Sequence, residues 1–425
     1  MKPFQFYFDN CVKDIQRLVR IDSAQTPALP GMPFGKGAAD SLALFLEIAQ
    51  NMGFETKNYD NYVGEVLFGE GEEFAVLCHL DVVPAGSGWK HAPFGGEIDG
   101  GNLYGRGTSD DKGPAVICLH CLKMLKDEGF MPRKKIKLIV GCNEENGWEC
   151  IAHYKKAAHM PEVGFSPDAD FPVIRAEKGI LQARLLFALE NAPFAALHAG
   201  ERPNMVCDFA CADGAVFDRT SAEKCGLTAE GNRLCARGRS AHASTPHEGE
   251  NALQKLLGFF AKSDARIAGI YALLFEDSLG LTKLCDDTGP LTLSPDMAEY
   301  SGGTLAVTAD IRYPATYAQE DVERILKSAG VQYELLHCQA PLYNSADAPL
   351  IAALRKVYER ETGDSGEPIA IGGGTYARAL ACGAGFGPQF PGEPSTIHQK
   401  DEYISLKNIE KLLRIYRAAI FELTK

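Results

Sequence analysis

No uninterrupted apolar stretch in this 425-residue chain reaches the roughly 18 residues that a membrane-spanning helix needs. Basic charge is in deficit: 43 Lys and Arg stand against 56 Asp and Glu, a formal net charge of −13. Nucleic acid and anionic membrane surfaces both require a basic face, so neither is expected as a partner. The first residues, Met1-Lys2-Pro3-Phe4-Gln5, lack the charged-then-apolar pattern of a secretory signal, and a cytosolic location is the simplest expectation. Cysteine is plentiful, at thirteen, but no regular spacing relates the residues. An odd, scattered set in apolar context reads as reduced, mostly buried thiols. Cys118 and Cys121 make a CxxC, yet they fall inside the helical run 116–122 and read as helix packing. No internal repeat or low-complexity segment is present.

A chain of 46.1 kDa with 45% hydrophobic and 23% charged residues is ordinary globular material, too long for one core, so two domains are expected. Apolar spacing predicts helices over 4–20 and about 38–52, the second closed by Gly53. Beyond them strands and helices alternate: strand 74–78, helix 113–128, strand 136–140, a helix from about Gly147 and a short strand at 162–165. That alternation indicates an α/β domain with a largely parallel sheet covered on both faces. From Gly179 the pattern turns half-solvated, with strands at 180–189, 304–311 and 331–335 and helices at 251–262 and 319–329. The reading is a catalytic domain over 1–178 and 368–425, interrupted by an α+β domain over 179–367. A last helix covers 405–424.

The chemistry concentrates at strand ends. His79 and Asp81 close the apolar run 74–78, and Asp110 lies in a loop that opens a helix. Glu144 and Glu145 follow the strand at 136–142, Asp168 follows the strand at Phe165, and His398 comes late in the chain. In a parallel sheet such ends share one edge, so these groups can converge. Two imidazoles and several carboxylates without thiolate suit zinc, with manganese or cobalt as alternatives. One carboxylate can bridge two ions, and adjacent glutamates can divide the work of ligand and base. Asp81 can fix the tautomer of His79. Each group also has a structural reading: Asp110-Asp111 as a helix cap, Glu144-Glu145 as a helix start, Asp168 as a turn. His91, His153, His159 and His247 are expected to be non-ligands.

These strings carry a resemblance. His79-Leu80-Asp81-Val82-Val83-Pro84 and the run 105–113 (GRGTSDDKG), with Asn143-Glu144-Glu145 and His398, resemble the dizinc aminoacylase, carboxypeptidase G and acetylornithine deacetylase superfamily. The runs 164–172 (GFSPDADFP), 372–378 (GGGTYAR) and 398–402 (HQKDE) are similar to its dipeptidase V branch. The resemblance implies a zinc-peptidase-like catalytic domain with a mixed, mostly parallel sheet, plus an inserted α+β lid domain. It implies two zinc ions per chain bridged by Asp110, with His79 and Asp168 at one and Glu145 and His398 at the other. Glu144 would be the general base, Asp81 would orient His79, and His242 would donate to the oxyanion. Arg312 and Asn204 would grip the substrate, and the backbone N–H groups of Gly373 and Gly374 are candidates to cradle an anionic end.

The expected function is hydrolysis of the amide bond in dipeptides or other short peptides. Two rivals are an N-acyl amino acid deacylase, on acetylornithine-like or succinyl-diaminopimelate-like substrates, and a non-catalytic sensor of peptides or amino acids. A sensor predicts loss of Glu144 or of a ligand, and this sequence retains them all. By resemblance to the branch, whose lid is enlarged, a monomer is expected, with a dimer as the alternative.

Overall fold

The computed structural model describes residues 2–425, and the chain divides into two compact units. The first comprises 1–175, 344–369 and 375–425; the second comprises 176–343 and 370–374. The insert expected at 179–367 and this second unit differ in extent. Residues 344–369, with the helix Pro349–Thr362, belong to the first unit, because Leu350, Ile351, Leu354 and Val357 join its core.

In the first unit the strand Glu72–His79 lies between Lys134–Gly141 and Val163–Ser166, parallel to both, and Cys382–Gly385 extends the parallel set beside Val163–Ser166. Val63–Phe68 and Glu55–Tyr59 complete the other edge in antiparallel sense. The sheet is therefore mixed, with a central parallel set flanked on each side by antiparallel pairings. Phe74, Ala75, Val76, Leu77 and Cys78 are fully buried, which is why an unbroken apolar run, not an alternating one, encodes this central strand. Helices cover both faces. Neighbouring strand residues point to opposite sides. A Cβ on Gly64 would meet Leu42 and Leu46 of the helix Lys36–Asn51, whereas Glu65 accepts the Tyr154 hydroxyl from the helix Glu149–Ala157. Gly53 follows the helix Lys36–Asn51 at φ +84°, as its terminating role predicts.

Because Glu72–His79, Lys134–Gly141 and Val163–Ser166 run in one direction, their C-terminal ends emerge at one edge. The chain segments that follow them carry His79 and Asp81, Glu144 and Glu145, and Asp168.

The second unit is built on an eight-stranded antiparallel sheet. Its order is Thr228–Glu230, Arg233–Arg237, Phe209–Asp213, Ala196–Ala199, Thr292–Ser301, Thr304–Tyr313, Gly179–Ala188 and Gln332–Gln339. Residues such as Leu197, Ala210, Leu234 and Val307 join Leu253, Leu257 and Ile267, from the helices Ala252–Phe260 and Ala265–Phe275, in one core. Their strand neighbours His198, Asp213, Arg233 and Glu299 are exposed, as period-two alternation requires of a sheet with one solvated face.

Candidate active site

The strand Glu72–His79 ends on His79, whose ring is buried and held from both sides. Its Nδ1 lies 3.0 Å from the backbone oxygen of Asp81, and its Nε2 lies 2.9 Å from Asp110 Oδ1 and 3.5 Å from Asp168 Oδ2. With Nδ1 donating to a carbonyl, Nε2 is left as the nitrogen that faces the carboxylates. The other oxygen of Asp110 is 2.8 Å from His398 Nε2, which is also 3.0 Å from Glu145 Oε1. Asp110 therefore stands between two imidazoles and offers one oxygen to each.

Two sets of donor atoms lie within 4.8 Å of one another: His79 with Glu144 and Asp168, and His79 with Asp110 and Glu145. The set is nitrogen and oxygen only, and its carboxylates are crowded out of water. Burial drives the carboxyl of Glu145 up to about 7, with the charge of Asp110 adding to the effect, and burial pushes Glu144 and Asp168 up as well. Burial alone would lower the two imidazoles, but their hydrogen bonds to the carboxylates outweigh it. His398 is lifted to about 11 and His79 well above its usual value. An acidic cluster of this kind, with His79 and Asp110 buried and the His398 ring about half exposed, favours added positive charge. Divalent cations of the zinc, manganese or cobalt kind meet that demand with the donor chemistry present.

Asp81 has a wider part than orienting His79. Its carboxylate is fully buried and lies 3.5 Å from His79 Nδ1, while Oδ1 accepts the backbone N–H of Glu144 at 3.0 Å and Oδ2 that of Glu145 at 3.1 Å. One side chain thus fixes both glutamates relative to the end of the histidine strand.

Asp111, the second acid of the pair, occupies the position before the helix Lys112–Asp127 without making a capping hydrogen bond. Its Oδ2 accepts the N–H of His79 at 3.0 Å instead. The Asp110–Asp111 peptide is cis.

Three neighbours have parts that the sequence does not assign. Trp148, at φ +67° just before the helix Glu149–Ala157, donates its indole N–H to Glu144 Oε1 at 3.2 Å. Tyr376 packs edge-on against both Trp148 and His79, at ring separations of 5.0 and 6.2 Å. Gly141 admits that tyrosine, since a Cβ there would lie 2.4 Å from its hydroxyl. Glu402 is fully buried: Oε1 accepts the N–H groups of Gly107, Ser109 and Asp110 at 3.1, 3.0 and 3.3 Å, and Oε2 pairs with Arg106 at 2.6 Å. Its partners lie nearly three hundred residues away in the chain, and no local pattern announces them.

The remaining expected residues lie in the second unit. Asn204 and His242 are neighbours, because Val206 and Ala243 donate to the carbonyls of Ala241 and Asn204. The N–H of Ser244 points at His242 Nδ1 at 3.1 Å, so a neutral ring there carries its proton on Nε2. Arg312 is buried and doubly paired with Asp310, and its Nη1 donates to the Gly372 carbonyl at 2.9 Å. Gly373 and Gly374 follow in the same short segment, Ala370–Gly374. Among the histidines expected to be non-ligands, His91 pairs with Glu97, His153 with Asp60 and His159 with Glu73.

Comparison with known proteins gives a consistent family. The model described as Peptidase family M20/M25/M40 matches residues 75–422. "Putative dipeptidase YtjP" of Bacillus subtilis (strain 168) is 39% identical, with 98% of each chain covered. The Beta-Ala-Xaa dipeptidase of Lactobacillus delbrueckii subsp. lactis is 32% identical, over 98% of this chain and 96% of its own. In fold, the chain is similar to human carnosine dipeptidase 1, with a TM-score of 0.61 at 13% identity over 99% of this chain and 97% of that one.

Proposed function

The chain belongs to peptidase family M20/M25/M40, a family of metal-dependent peptide-bond hydrolases, and from that premise we propose that it is a dipeptidase working with two divalent cations. The supporting observation is the placement of Asp110, with one carboxylate oxygen toward His79 and the other toward His398. His79 and Asp168 would hold one ion, Glu145 and His398 the other, and Asp110 would serve both, with zinc favoured over manganese and cobalt. When bound, the pair lowers the pKa of water toward neutrality and polarises the scissile carbonyl.

Glu144 is the general base in this reading. It takes a proton from the attacking water and passes it to the leaving nitrogen as the amide bond breaks. The ligand role falls to Glu145, so the base keeps its lone pairs for the proton. Trp148 fixes Glu144 Oε1, and Asp81 fixes its backbone. His242, with its proton on Nε2, has the donor an oxyanion needs. Asn204, Arg312 and the backbone of Gly373 and Gly374 are assigned to the polar ends of the substrate. Three of the five Arg312 N–H donors are already engaged, which makes it a rigid contributor. The substrate class is short peptides, and the relative's name makes β-alanyl dipeptides the first to try.

Glu144→Gln tests the mechanism. The amide keeps the shape but cannot take a proton, so kcat should fall by roughly 100- to 10,000-fold while the metal content stays at the parent level. A parent-like rate refutes the assignment. Hydrolysis of dipeptides beside N-acetyl amino acids, with and without chelator, separates the dipeptidase from a deacylase.

A further inference from the structure

We propose that Cys211 and Cys235, on adjacent strands of the second unit, form a dithiol that low-molecular-mass disulfides oxidise to an intrachain disulfide. The two residues face each other in register on the antiparallel strands Phe209–Asp213 and Arg233–Arg237. Which kind of facing pair they form follows from the strand ends. Gly238 donates its N–H to the carbonyl of Asp208, so 208 and 238 are a hydrogen-bonded pair. Facing pairs alternate along an antiparallel ladder, which makes 209/237 non-hydrogen-bonded, 210/236 hydrogen-bonded and 211/235 non-hydrogen-bonded.

That is the closer class, with Cα atoms about 4.5 Å apart and side chains leaning together. It falls at the short end of the roughly 4.4–6.8 Å span that disulfides bridge. A bond formed there is short of the preferred separation and correspondingly easy to reduce.

The surroundings give the two sulfurs different parts. Cys235 is half-buried, on the sheet face away from the helices, and is the sulfur a small disulfide reaches first. Cys211 is 3% exposed, and Arg233 Nη2 donates to its Sγ at 3.2 Å, so it is the sheltered sulfur that closes the ring once Cys235 has reacted. In the first step the Cys235 thiolate attacks a sulfur of glutathione disulfide, giving a mixed disulfide and one glutathione thiolate. In the second, the Cys211 thiolate attacks the Cys235 sulfur and expels the other glutathione. Two protein protons leave, two glutathione thiols form, and no further oxidant is needed. Burial pushes the Cys235 thiol up, so the first step quickens as pH rises from 7 toward 9.

Other thiols provide internal controls. Cys78, Cys118 and Cys121 are fully buried and should stay reduced in the folded chain, while exposed Cys285 should take up glutathione without closing a ring.

The test uses the reduced full-length chain exposed to glutathione disulfide, acid-quenched, alkylated and mapped by mass spectrometry. The expected product is a peptide pair linked through Cys211 and Cys235, released by mild reductant. Cys211→Ser should stop at a single glutathione retained on Cys235, and Cys235→Ser should leave Cys211 unmodified. Finding both thiols alkylated in the wild-type chain while Cys285 has reacted overturns the proposal, as does linkage of either to a third cysteine. The wild-type map decides the matter even if a serine variant folds poorly.

Discussion

Asp81 is the residue whose alteration discriminates best. Its two carboxylate oxygens each accept one backbone N–H, from Glu144 and from Glu145. In Asp81→Asn one of those oxygens becomes an NH2 group. However the amide turns, one glutamate N–H loses its acceptor and faces another donor. Leaving a buried donor unsatisfied costs about 1–3 kcal/mol. If that cost falls on the placement of Glu144, kcat drops by roughly 10- to 100-fold. The hydrogen bond that holds the His79 ring is made by the Asp81 backbone oxygen, which the substitution leaves in place. Metal content per chain should therefore match the parent. The assay is steady-state dipeptide hydrolysis beside metal analysis of the same protein at fixed free zinc. An unchanged kcat refutes the reasoning. So does a loss of activity that excess zinc restores, because it would place the effect at His79 and not at the glutamates.

Trp148→Phe keeps a ring against Tyr376 but removes the donor to Glu144, so kcat should fall about tenfold with little change in KM; a matched rise in KM would instead indicate a substrate contact. Removal of metal by a chelator should abolish activity and lower the melting temperature, and zinc at about 100 times its dissociation constant should restore roughly 2.7 kcal/mol of stability. Survival of activity in metal-free protein would sink the proposed function. Asp296, in the second unit, is fully buried with Oδ2 unpartnered, and burial pushes its carboxyl up to about 9. Its folded pKa exceeds the unfolded value of about 4, so the folded form keeps a proton that the unfolded form releases. Stability should fall as pH rises from about 4 to about 9, at up to about 1.4 kcal/mol per pH unit. Denaturant unfolding at pH 7 and pH 9 should show this slope, and Asp296→Asn should flatten it.

The parts of the fold legible in the sequence are those where one physical demand dominates. Phe74–Cys78 is buried on both faces, so its run is uniformly apolar and can be read directly. The helix expected at 405–424 is found as Leu406–Thr424, because its buried residues recur at helical spacing from Ile409 to Ile420. The short strands Ala196–Ala199, Phe209–Asp213 and Arg233–Arg237 escape such reading. Alanine supplies much of their core-facing side, and it does not announce a strand. The helix Pro349–Thr362 escapes it too, and lies within the stretch assigned to the insert.

At the site, His79, Glu145 and Asp168 stand out because parallel strand ends gather by topology, whereas Asp110 and His398 lie in loops and stand out only through their motifs. Trp148 is illegible because its part depends on a left-handed turn at 148 that nothing nearby requires. The carboxylate of Asp81 reads toward His79 alone, since the amides it accepts belong to residues more than sixty positions away.

The hold of Glu402 on the Asp110 loop has a consequence for how the protein comes into being. Synthesis delivers Asp110 early, but the carboxylate that collects the loop's N–H groups arrives 292 residues later. Closing so long a loop is a late event, and domains otherwise fold in the order they are made. A nascent chain that has not yet released residue 402 also lacks a seated His398, four residues before it. If His398 is the ligand proposed above, hydrolytic capacity waits until this long-range closure is made.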